Sequence, residues 1–502
     1  GEVNPHPGFT RTRYSRATEY FPYIQDDWKV RPNLTINLGL RYDFETNPIC
    51  VAEPCNAILD PLSSPGFTQV HHVVRSNPDA FNFDPRIGVA WDPFSDHKTS
   101  IRAGFGIFHE PIAARTYLNA YSQNPPSQTV VLAGPPAVPL FPRPADCGPA
   151  GSPCLNPPFG TIYQIDYRSD VAPYEMQYNL TIQRDIGHNT VASLGYVGAQ
   201  GVHLYSQRNL NTPGLVDALG NPAPNNCTSC FFKGPVPNPN FLGLDSTAPT
   251  SHSTYNGLVA SLTRQLNKNL QGQVSYTYSR CIDDGSASSG LEQASVEVLD
   301  AHFQRFDRGP CIFNSTHALR INGLYNLPFR GNRLVSGWQL GEILSAATGY
   351  PVNVVNGLLP QVSNTGGITS DRPNFVAGCH PYDVQGKPSG PFVQWFDPSC
   401  YAPQTFGTLG NVTRNSLVGP GLLNLDFSII KQTRITEKLN SEFRAEFFNI
   451  LNRTNLGQPS GSVFAGPGGA AAGGSFIGGT AGLISTTATT SRQIQFALKL
   501  IF

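Results

Sequence analysis

Three features of this 502-residue sequence predict an all-β fold, specifically a transmembrane antiparallel β-barrel of the outer-membrane type. Many segments alternate apolar and polar residues over ten or more positions. Short polar turns and long loops rich in Pro, Gly and Asn follow these segments in strict alternation. No run of about eighteen apolar residues, which a spanning helix needs, occurs anywhere. Strands of about nine to eleven residues cross a bilayer when tilted, so the segments have the required length.

About thirteen such strands are predicted, and most are longer than the roughly five or six residues usual in globular sheets. They are residues 19–29, 34–45, 84–93, 100–109, 173–186, 190–200, 253–266, 270–280, 313–328, 333–349, 420–431, 439–451 and 491–502. Short connections are typical of the periplasmic side of such barrels, and long ones of the extracellular side. We therefore predict extracellular loops over 46–83, 110–172, 201–252, 281–312, 350–419 and 452–490.

The second predicted strand, LTINLGLRYDFE over 34–45, shows the two faces most clearly. Its apolar residues occupy every second position and are predicted to face lipid, while the residues between them face a hydrated lumen. On the same reasoning, polar residues of the last two strands also face the lumen. The predicted lumen-facing residues are Arg41, Asp43, Glu45, Glu442, Arg444, Glu446 and Lys499.

Ten cysteines fall into neighbouring couples in or beside loop-like stretches, which indicates disulfides formed in an oxidising compartment. One alternative is open: Cys227-Thr-Ser-Cys230 has the spacing of a redox or zinc motif, but its Pro- and Asn-rich surroundings supply neither a helix nor a second ligand pair. The expected couples are Cys50–Cys55, Cys147–Cys154, Cys227–Cys230, Cys281–Cys311 and Cys379–Cys400.

Composition and motifs argue against other classes of protein. The formal net charge is zero and only 14% of residues are charged, so no basic surface for nucleic acid is predicted. No metalloprotease, nucleophile-elbow, P-loop or dinucleotide-binding motif occurs in a suitable context, and the pair His71-His72 is isolated in a loop. The carboxylates of Glu442 and Glu446 share a strand face with Arg444, which indicates a row of paired charges along the lumen wall rather than a catalytic acid–base pair. We predict no enzyme activity, no cofactor and no bound metal.

Several stretches resemble TonB-dependent outer-membrane receptors, in particular the Oar-like group. They are QDDWKVRPNLTINLGLRYD, GNVTRNSLVGPGLLNLDFSIIKQTRI, SEFRAEFFNILNRTNLGQP and the final SRQIQFALKLIF. The resemblance implies integral insertion in the bacterial outer membrane and contact with its lipid. It also implies that the closing alternation is a signal for the outer-membrane assembly machinery. That signal consists of Ile494, Phe496, Leu498, Leu500 and Phe502.

The resemblance also carries expectations about domains. Family barrels have about 22 strands around a plug, so residues 1–18 are expected to be the remnant of an extracellular loop. Residues 19–502 would be the C-terminal part of the barrel, with the plug and N-terminal strands absent. Strand parity agrees, because the first and last of thirteen antiparallel strands run in the same direction and cannot pair antiparallel.

Two functions follow as hypotheses. In the first, the loops bind a scarce extracellular solute, and energy relayed by the TonB complex through the plug drives its import. In the second, the loops bind a macromolecule and the protein serves adhesion or envelope organisation without transport. Because specificity lies in the loops, the sequence does not identify the solute.

Overall fold

A computed structural model of the chain describes residues 15–51, 55–77, 80–112, 159–224, 227, 229–267, 269–286, 297–299, 304–358, 361–366, 371–437 and 439–502. Nearly all of its regular structure is strand. Within these residues, no helix has the length and apolar character that a membrane crossing requires.

In the part of the chain that the structure describes, the main sheet has sixteen strands, and thirteen of them form a path in which each strand pairs antiparallel with the next. These thirteen confirm the predicted antiparallel sheet and its order. The strands are β1 (Tyr23–Arg31), β2 (Leu34–Tyr42), β3 (Phe83–Trp91), β4 (Thr99–His109), β5 (Tyr174–Gly187), β6 (Thr190–Asn209), β7 (Phe241–Asn267), β8 (Leu270–Asp283), β9 (His317–Asn326), β10 (Trp338–Ala347), β11 (Leu422–Arg434), β12 (Asn440–Phe448) and β13 (Gln493–Ile501).

The remaining elements are short and lie in the long connections or before β1. The strands are Ser15–Arg16, Glu19–Tyr20, Phe44–Glu45, Ile49–Cys50, Cys55–Ala57, Thr68–Val70, Phe159–Ile165, Leu215–Val216, Phe231–Phe232, Glu297–Val298, Gly309–Pro310, Pro351–Val352, Asn374–Phe375, Lys387–Ser389, Phe392–Gln394, Tyr401–Ala402, Leu417–Val418, Phe464–Ala465, Phe476–Ile477 and Leu483–Ile484. The 3-10 helices are Gln304–Asp307, Pro381–Val384, Pro398–Cys400 and Gly469–Gly474.

The strand register places the apolar residues of successive strands on one continuous face. Residues directly opposite each other share a face, because the side-chain period of a strand is two. One row across neighbouring strands is Ile36, Val89, Ala103, Leu180, Tyr196, Leu258 and Tyr278, and another is Tyr325, Leu340, Ile429, Ala445 and Phe496. Many of these large side chains are exposed. Apart from charged positions such as Asp26 and Glu342, the sheet exposes apolar residues on this face, which is the surface that lipid requires.

The opposite face is polar and rich in glycine. One of its rows runs Asn37, Gly88, Gly104, Asn179, Val197, Gly257 and Ser279. Gly88 permits a close approach here, since a Cβ atom at this position would lie 3.2 Å from the Asn37 amide oxygen. Polar side chains therefore lie flat across neighbouring glycines on this face.

Short turns join the strands at one end of the sheet, as predicted. The β5–β6 turn has two residues between its strands, His188 and Asn189, and both have positive φ, +55° and +56°. This pair of dihedrals is the type I′ geometry that matches the twist of a hairpin. The long connections all leave from the other end of the sheet.

The sheet is open at both edges. Among the described residues, β1 pairs only with β2, and β13 pairs only with β12. The two edge strands run in the same direction, as the count of thirteen alternating strands predicts, and they therefore cannot pair antiparallel with each other.

Two strands are longer than predicted. The expected strand 190–200 extends to Asn209, and the expected strand 253–266 begins at Phe241. The two extensions pair with each other as far as Asn209 and Asp245, with register shifts between Gly201 and Tyr205. The alternation fails in 241–252, which contains Pro249, so the sequence pattern did not indicate this extension.

The extension of β7 also departs from purely antiparallel pairing. Phe159–Ile165 lies parallel to the stretch from Phe241 to Thr247. Glu297–Val298 pairs parallel with β6 in the same region. The sheet therefore continues past its amphipathic part into the long connections.

Candidate functional site: the loop assembly and the polar face

Six connections leave the long-loop end of the sheet. We call them L1 (43–82), L2 (110–173), L3 (210–240), L4 (284–316), L5 (348–421) and L6 (449–492). Their described parts pack against one another around several hydrophobic clusters rather than standing apart. We refer to them together as the loop assembly.

L1, L2 and the β7 extension share a buried core. Ile58 of L1 and Ile162 of L2 pack with Phe241 and Leu244, and all four are almost completely buried. A second cluster joins Cys55, Val73 and Val74 of L1 to Ile112 and Ile165 of L2. The amide of Asn238 at the end of L3 donates to the carbonyl oxygens of Pro61 and Ser64, at 3.0 and 2.8 Å. Three connections are thereby held in one arrangement.

L3 is joined to L5 by both apolar and polar contacts. Leu215, Cys230 and Phe232 form a cluster against which Leu409 of L5 packs. The backbone N–H of Phe232 donates to the carbonyl oxygen of Gly407 at 2.7 Å. The amide of Asn364 donates in the opposite direction, to the carbonyl oxygen of Phe232 at 2.6 Å. The backbone N–H and carbonyl groups of Phe232 are therefore both bonded to L5, which fixes L3 against it.

Two buried arginines of L5 hold it against β8 and L4. Arg372 Nη1 lies 2.7 Å from Asp307 Oδ1, and both side chains are at most 5% exposed. Arg414 forms an ion pair with Asp283, and its Nε donates to the carbonyl oxygen of Asp307 at 2.6 Å. Buried charges require such partners, because an unpaired one would leave a large desolvation cost uncompensated. No periodicity marks these two arginines, so sequence reasoning missed them.

L5 and L6 share the largest cluster of the assembly. Its buried members are Val352, Val354, Leu358, Val362, Phe396, Cys400, Tyr401, Val412, Leu417, Val463, Phe464 and Ala472. The hairpin of Lys387–Ser389 and Phe392–Gln394 pairs with Leu483–Ile484 of L6. The two longest described connections thus fold as one unit with its own core.

Disulfides reinforce the assembly. The bonds Cys50–Cys55, Cys227–Cys230, Cys281–Cys311 and Cys379–Cys400 are formed, which confirms four predicted couples. The predicted Cys147–Cys154 couple lies outside the described residues. Cys281–Cys311 joins the end of β8 to the end of L4, with Cα atoms 5.3 Å apart. Cross-links at loop bases reduce the freedom of the unfolded chain.

The predicted lumen-facing residues lie in two groups near opposite edges of the sheet. On β12 and β13, Arg444 Nε lies 2.6 Å from Glu442 Oε1, and Lys499 stands directly opposite Glu442. Glu446 stands opposite Gln495 on the same face. Near the other edge, Arg41 of β2 contacts Asp43, and its guanidinium lies 4.4 Å from the ring centre of Phe21. Both groups belong to the polar face of the sheet or its continuation.

A concavity of about 670 Å³ lies along β7 to β12. Its lining is dominated by residues of the polar face, among them Gln271, Gln273, Asn322, Asp426, Ser428 and Glu446. Amide, hydroxyl and carboxylate groups can hydrogen-bond a polar solute or another polar segment. Of the predicted lumen-facing residues, Glu446 is the one that lines this concavity.

The residues of the predicted assembly signal lie at alternate positions of β13 and just after it. Ile494, Phe496, Leu498, Leu500 and Phe502 are all exposed. Phe496 stacks on Phe443 of β12 with ring centres 6.1 Å apart. An exposed apolar row at a sheet edge is available to another protein or to lipid.

Glu45 occupies a different setting from the other predicted residues. β2 ends at Tyr42, so Glu45 belongs to L1 and pairs in a short ribbon with Glu19 directly opposite. Its Oε2 accepts a hydrogen bond from the backbone N–H of Ile112 at 2.7 Å. Burial raises the pKa of Glu45 to about 7, since the bond from Ile112 offsets only part of the desolvation cost and the charge of Glu19 adds to it.

Comparison with known sequences gives one family. The sequence model described as "Outer membrane beta barrel domain" matches residues 6–495. No curated protein sequence is similar enough to count as a relative of this chain. The match covers nearly all the thirteen strands and the loop assembly.

Comparison with solved structures gives similar folds at low identity. The outer membrane transporter YddB from Escherichia coli aligns with a TM-score of 0.52 and 12% identity, over 97% of this chain and 45% of YddB. FpvA from Pseudomonas aeruginosa PAO1, bound to pyoverdine, aligns with a TM-score of 0.42 and 12% identity, over 98% of this chain and 43% of FpvA. The copper transporter OprC aligns with a TM-score of 0.42 and 10% identity, over 97% of this chain and 50% of OprC. The chain spans half or less of each neighbour's length.

Proposed function

Because the chain belongs to the outer membrane beta barrel domain family, we propose that it is the barrel portion of a TonB-dependent receptor that binds and imports an extracellular solute. The loop assembly is the observation that carries this proposal. The described parts of the connections, held together by shared cores and by the buried ion pair between L4 and L5, present a surface that is already ordered, and an ordered surface loses less entropy when it binds. Integral location in the outer membrane is the premise shared by this proposal and its alternative.

The open edges support a proposal about the rest of the barrel. β1 and β13 run in the same direction, so an odd number of further strands is needed to close an antiparallel barrel between them. We expect these strands and a plug to be supplied by sequence preceding Gly1. The polar concavity along β7 to β12 would then face the enclosed lumen, and Glu442, Arg444 and Lys499 would line the wall beside it.

The experiment uses the full-length protein encoded by the native gene, expressed in its own outer membrane. Purified TonB C-terminal domain is the probe for energy coupling, and a pull-down from detergent-solubilised membranes is the measurement. Spent culture medium, compared by mass spectrometry between parent and deletion strains, is the probe for the solute. We expect TonB capture and at least one solute that the deletion strain leaves in the medium.

A matched variant separates import from binding. Removing the TonB-contacting segment should leave the solute bound to the cell surface but not internalised. If TonB is not captured and no solute differs between the strains, the transport proposal is wrong. The result would then favour a surface protein for adhesion or envelope organisation.

A further inference from the structure

The start of L1, the end of L1 and the start of L2 enclose a small cavity of about 20 Å³. That volume is enough for about one water molecule. Its lining includes Glu45, Asn82 and Ile112, together with Asp43 and His109. The site lies beside the apolar cluster that Ile112 shares with L1, and it is separate from the polar residues of β12 and β13.

One residue that lines the cavity has a buried acceptor without a donor. Asn82 is 6% exposed, and its Oδ1 atom accepts no hydrogen bond from any residue that the structure describes. The backbone around it is paired, since the N–H of Asp43 donates to the carbonyl oxygen of Asn82 at 2.9 Å. A buried acceptor without a donor costs about 1–3 kcal/mol in general, so a proton donor in this cavity would be stabilising.

Glu45 is the group that can provide this donor. One of its oxygens, Oε2, already accepts from the N–H of Ile112. A protonated carboxyl retains that acceptor and gains an O–H donor. Protonation also removes the repulsion from Glu19, which stands directly opposite in the antiparallel pair.

We propose that Glu45 is a proton-operated latch between L1 and L2. In the closed state the protonated carboxyl donates to Asn82 Oδ1, directly or through one water, while accepting from Ile112. In the open state the proton has passed to bulk water, and the carboxylate faces an acceptor oxygen and a like charge. The latch concerns the loops alone and does not depend on whether the protein imports a solute.

The sign of the pH dependence follows from the raised pKa of Glu45, about 7 against an ordinary 4.5. The folded state holds the proton more tightly than the unfolded chain does, so the latch contributes stability that is complete below about pH 4.5 and is lost as the pH rises through about 7. The surrounding titratable and charged groups are Glu19, Arg41, Asp43, Asp84, His109, Glu110 and Tyr205.

Hydrogen exchange of the full-length protein in outer-membrane vesicles tests the latch. Peptides covering 44–46 and 110–112 are followed from about pH 5.5 to about pH 8.5, and their exchange rates are corrected for the pH dependence of intrinsic exchange. Their protection factors should decrease about tenfold or more as the pH rises through about 7. Glu45→Gln keeps both hydrogen bonds without titrating, since its amide donates to Asn82 and accepts from Ile112, so its protection should be independent of pH. Glu19→Gln is the matched control and should keep the step while moving its midpoint to lower pH.

Two outcomes overturn the proposal. A step that persists in Glu45→Gln would assign the titration to another group near the cavity. A flat profile in the parent protein would show that no latch operates. Should Glu45→Gln fail to insert, isotope-edited infrared titration of the parent's carboxyl groups decides instead. A midpoint for Glu45 near pH 7 supports the latch, and one below about pH 5 contradicts it.

Discussion

Leu38 provides the sharpest test of the assigned faces. It is the central residue of the nine in β2, stands opposite Asp26 and Ile87, and is 43% exposed on the apolar face. A strand of nine residues at about 3.3 Å per residue, tilted by about 45°, rises about 21 Å across the bilayer. Its central residue therefore lies near the midplane.

Replacing Leu38 by Arg should destabilise the barrel by about 2–4 kcal/mol, the cost of a cationic side chain on the lipid face at the midplane. Each 1.4 kcal/mol changes an equilibrium constant tenfold, so the folding equilibrium constant should decrease by about 30-fold to several hundred-fold. Asn37→Arg is the matched control, because Asn37 lies on the polar face and its amide donates to Asp27 at 2.5 Å. An arginine at position 37 would meet the carboxylate of Asp27 on the hydrated polar face, whereas an arginine at position 38 would face Asp26 on the lipid side, where both charges would be desolvated.

The measurement is reversible urea unfolding of the full-length protein in lipid vesicles, compared among parent and both variants. We expect a large loss of unfolding free energy for Leu38→Arg and a loss below about 1 kcal/mol for Asn37→Arg. Equal losses for the two variants would refute the assignment of the apolar face to lipid.

Three further predictions concern other parts of the molecule. Non-reducing peptide mapping of protein from its native envelope should recover the Cys281–Cys311 bond, and a free thiol at both positions would contradict the oxidising compartment. Arg414→Gln should expose L5 to limited proteolysis by removing about 3–5 kcal/mol of buried pairing, whereas Lys387→Gln, which removes an exposed positive charge from the same connection, should leave the digest unchanged. Phe502→Ala should lower outer-membrane insertion, whereas Leu219→Ala, which truncates a similarly exposed side chain in L3, should not. Equal insertion of the two variants would contradict the prediction that Phe502 belongs to an assembly signal.

Sequence reasoning located all thirteen strands of the antiparallel path in the main sheet, and most boundaries agree within a few residues. It failed in the loop assembly. The stretch 466–474 carries no strand pattern, yet Gly469–Gly474 forms a 3-10 helix, and Ala472 is part of the L5–L6 core. Small residues packed in a loop core have no period that a sequence pattern can detect.

The sequence by itself determined the features that depend on neighbours in the chain. Alternation in 34–45 and 491–502 defined the two faces of these strands, and turn residues such as His188 and Asn189 marked where strands end. Cysteines close together in the chain, such as Cys50 and Cys55, form disulfides with each other. Each of these features depends on a period of two residues or on a short loop closure, both of which are local.

The tertiary structure alone decided which distant residues meet. Arg414 and Asp283 are 131 residues apart, and Glu45 and Ile112 are 67 apart. No local pattern encodes such pairs, because their contacts form only when the strands have set the positions of the loops. The burial that pairs Arg414 with Asp283, and that raises the pKa of Glu45, exists only in the folded loop assembly, where water is excluded and unpaired charge is costly.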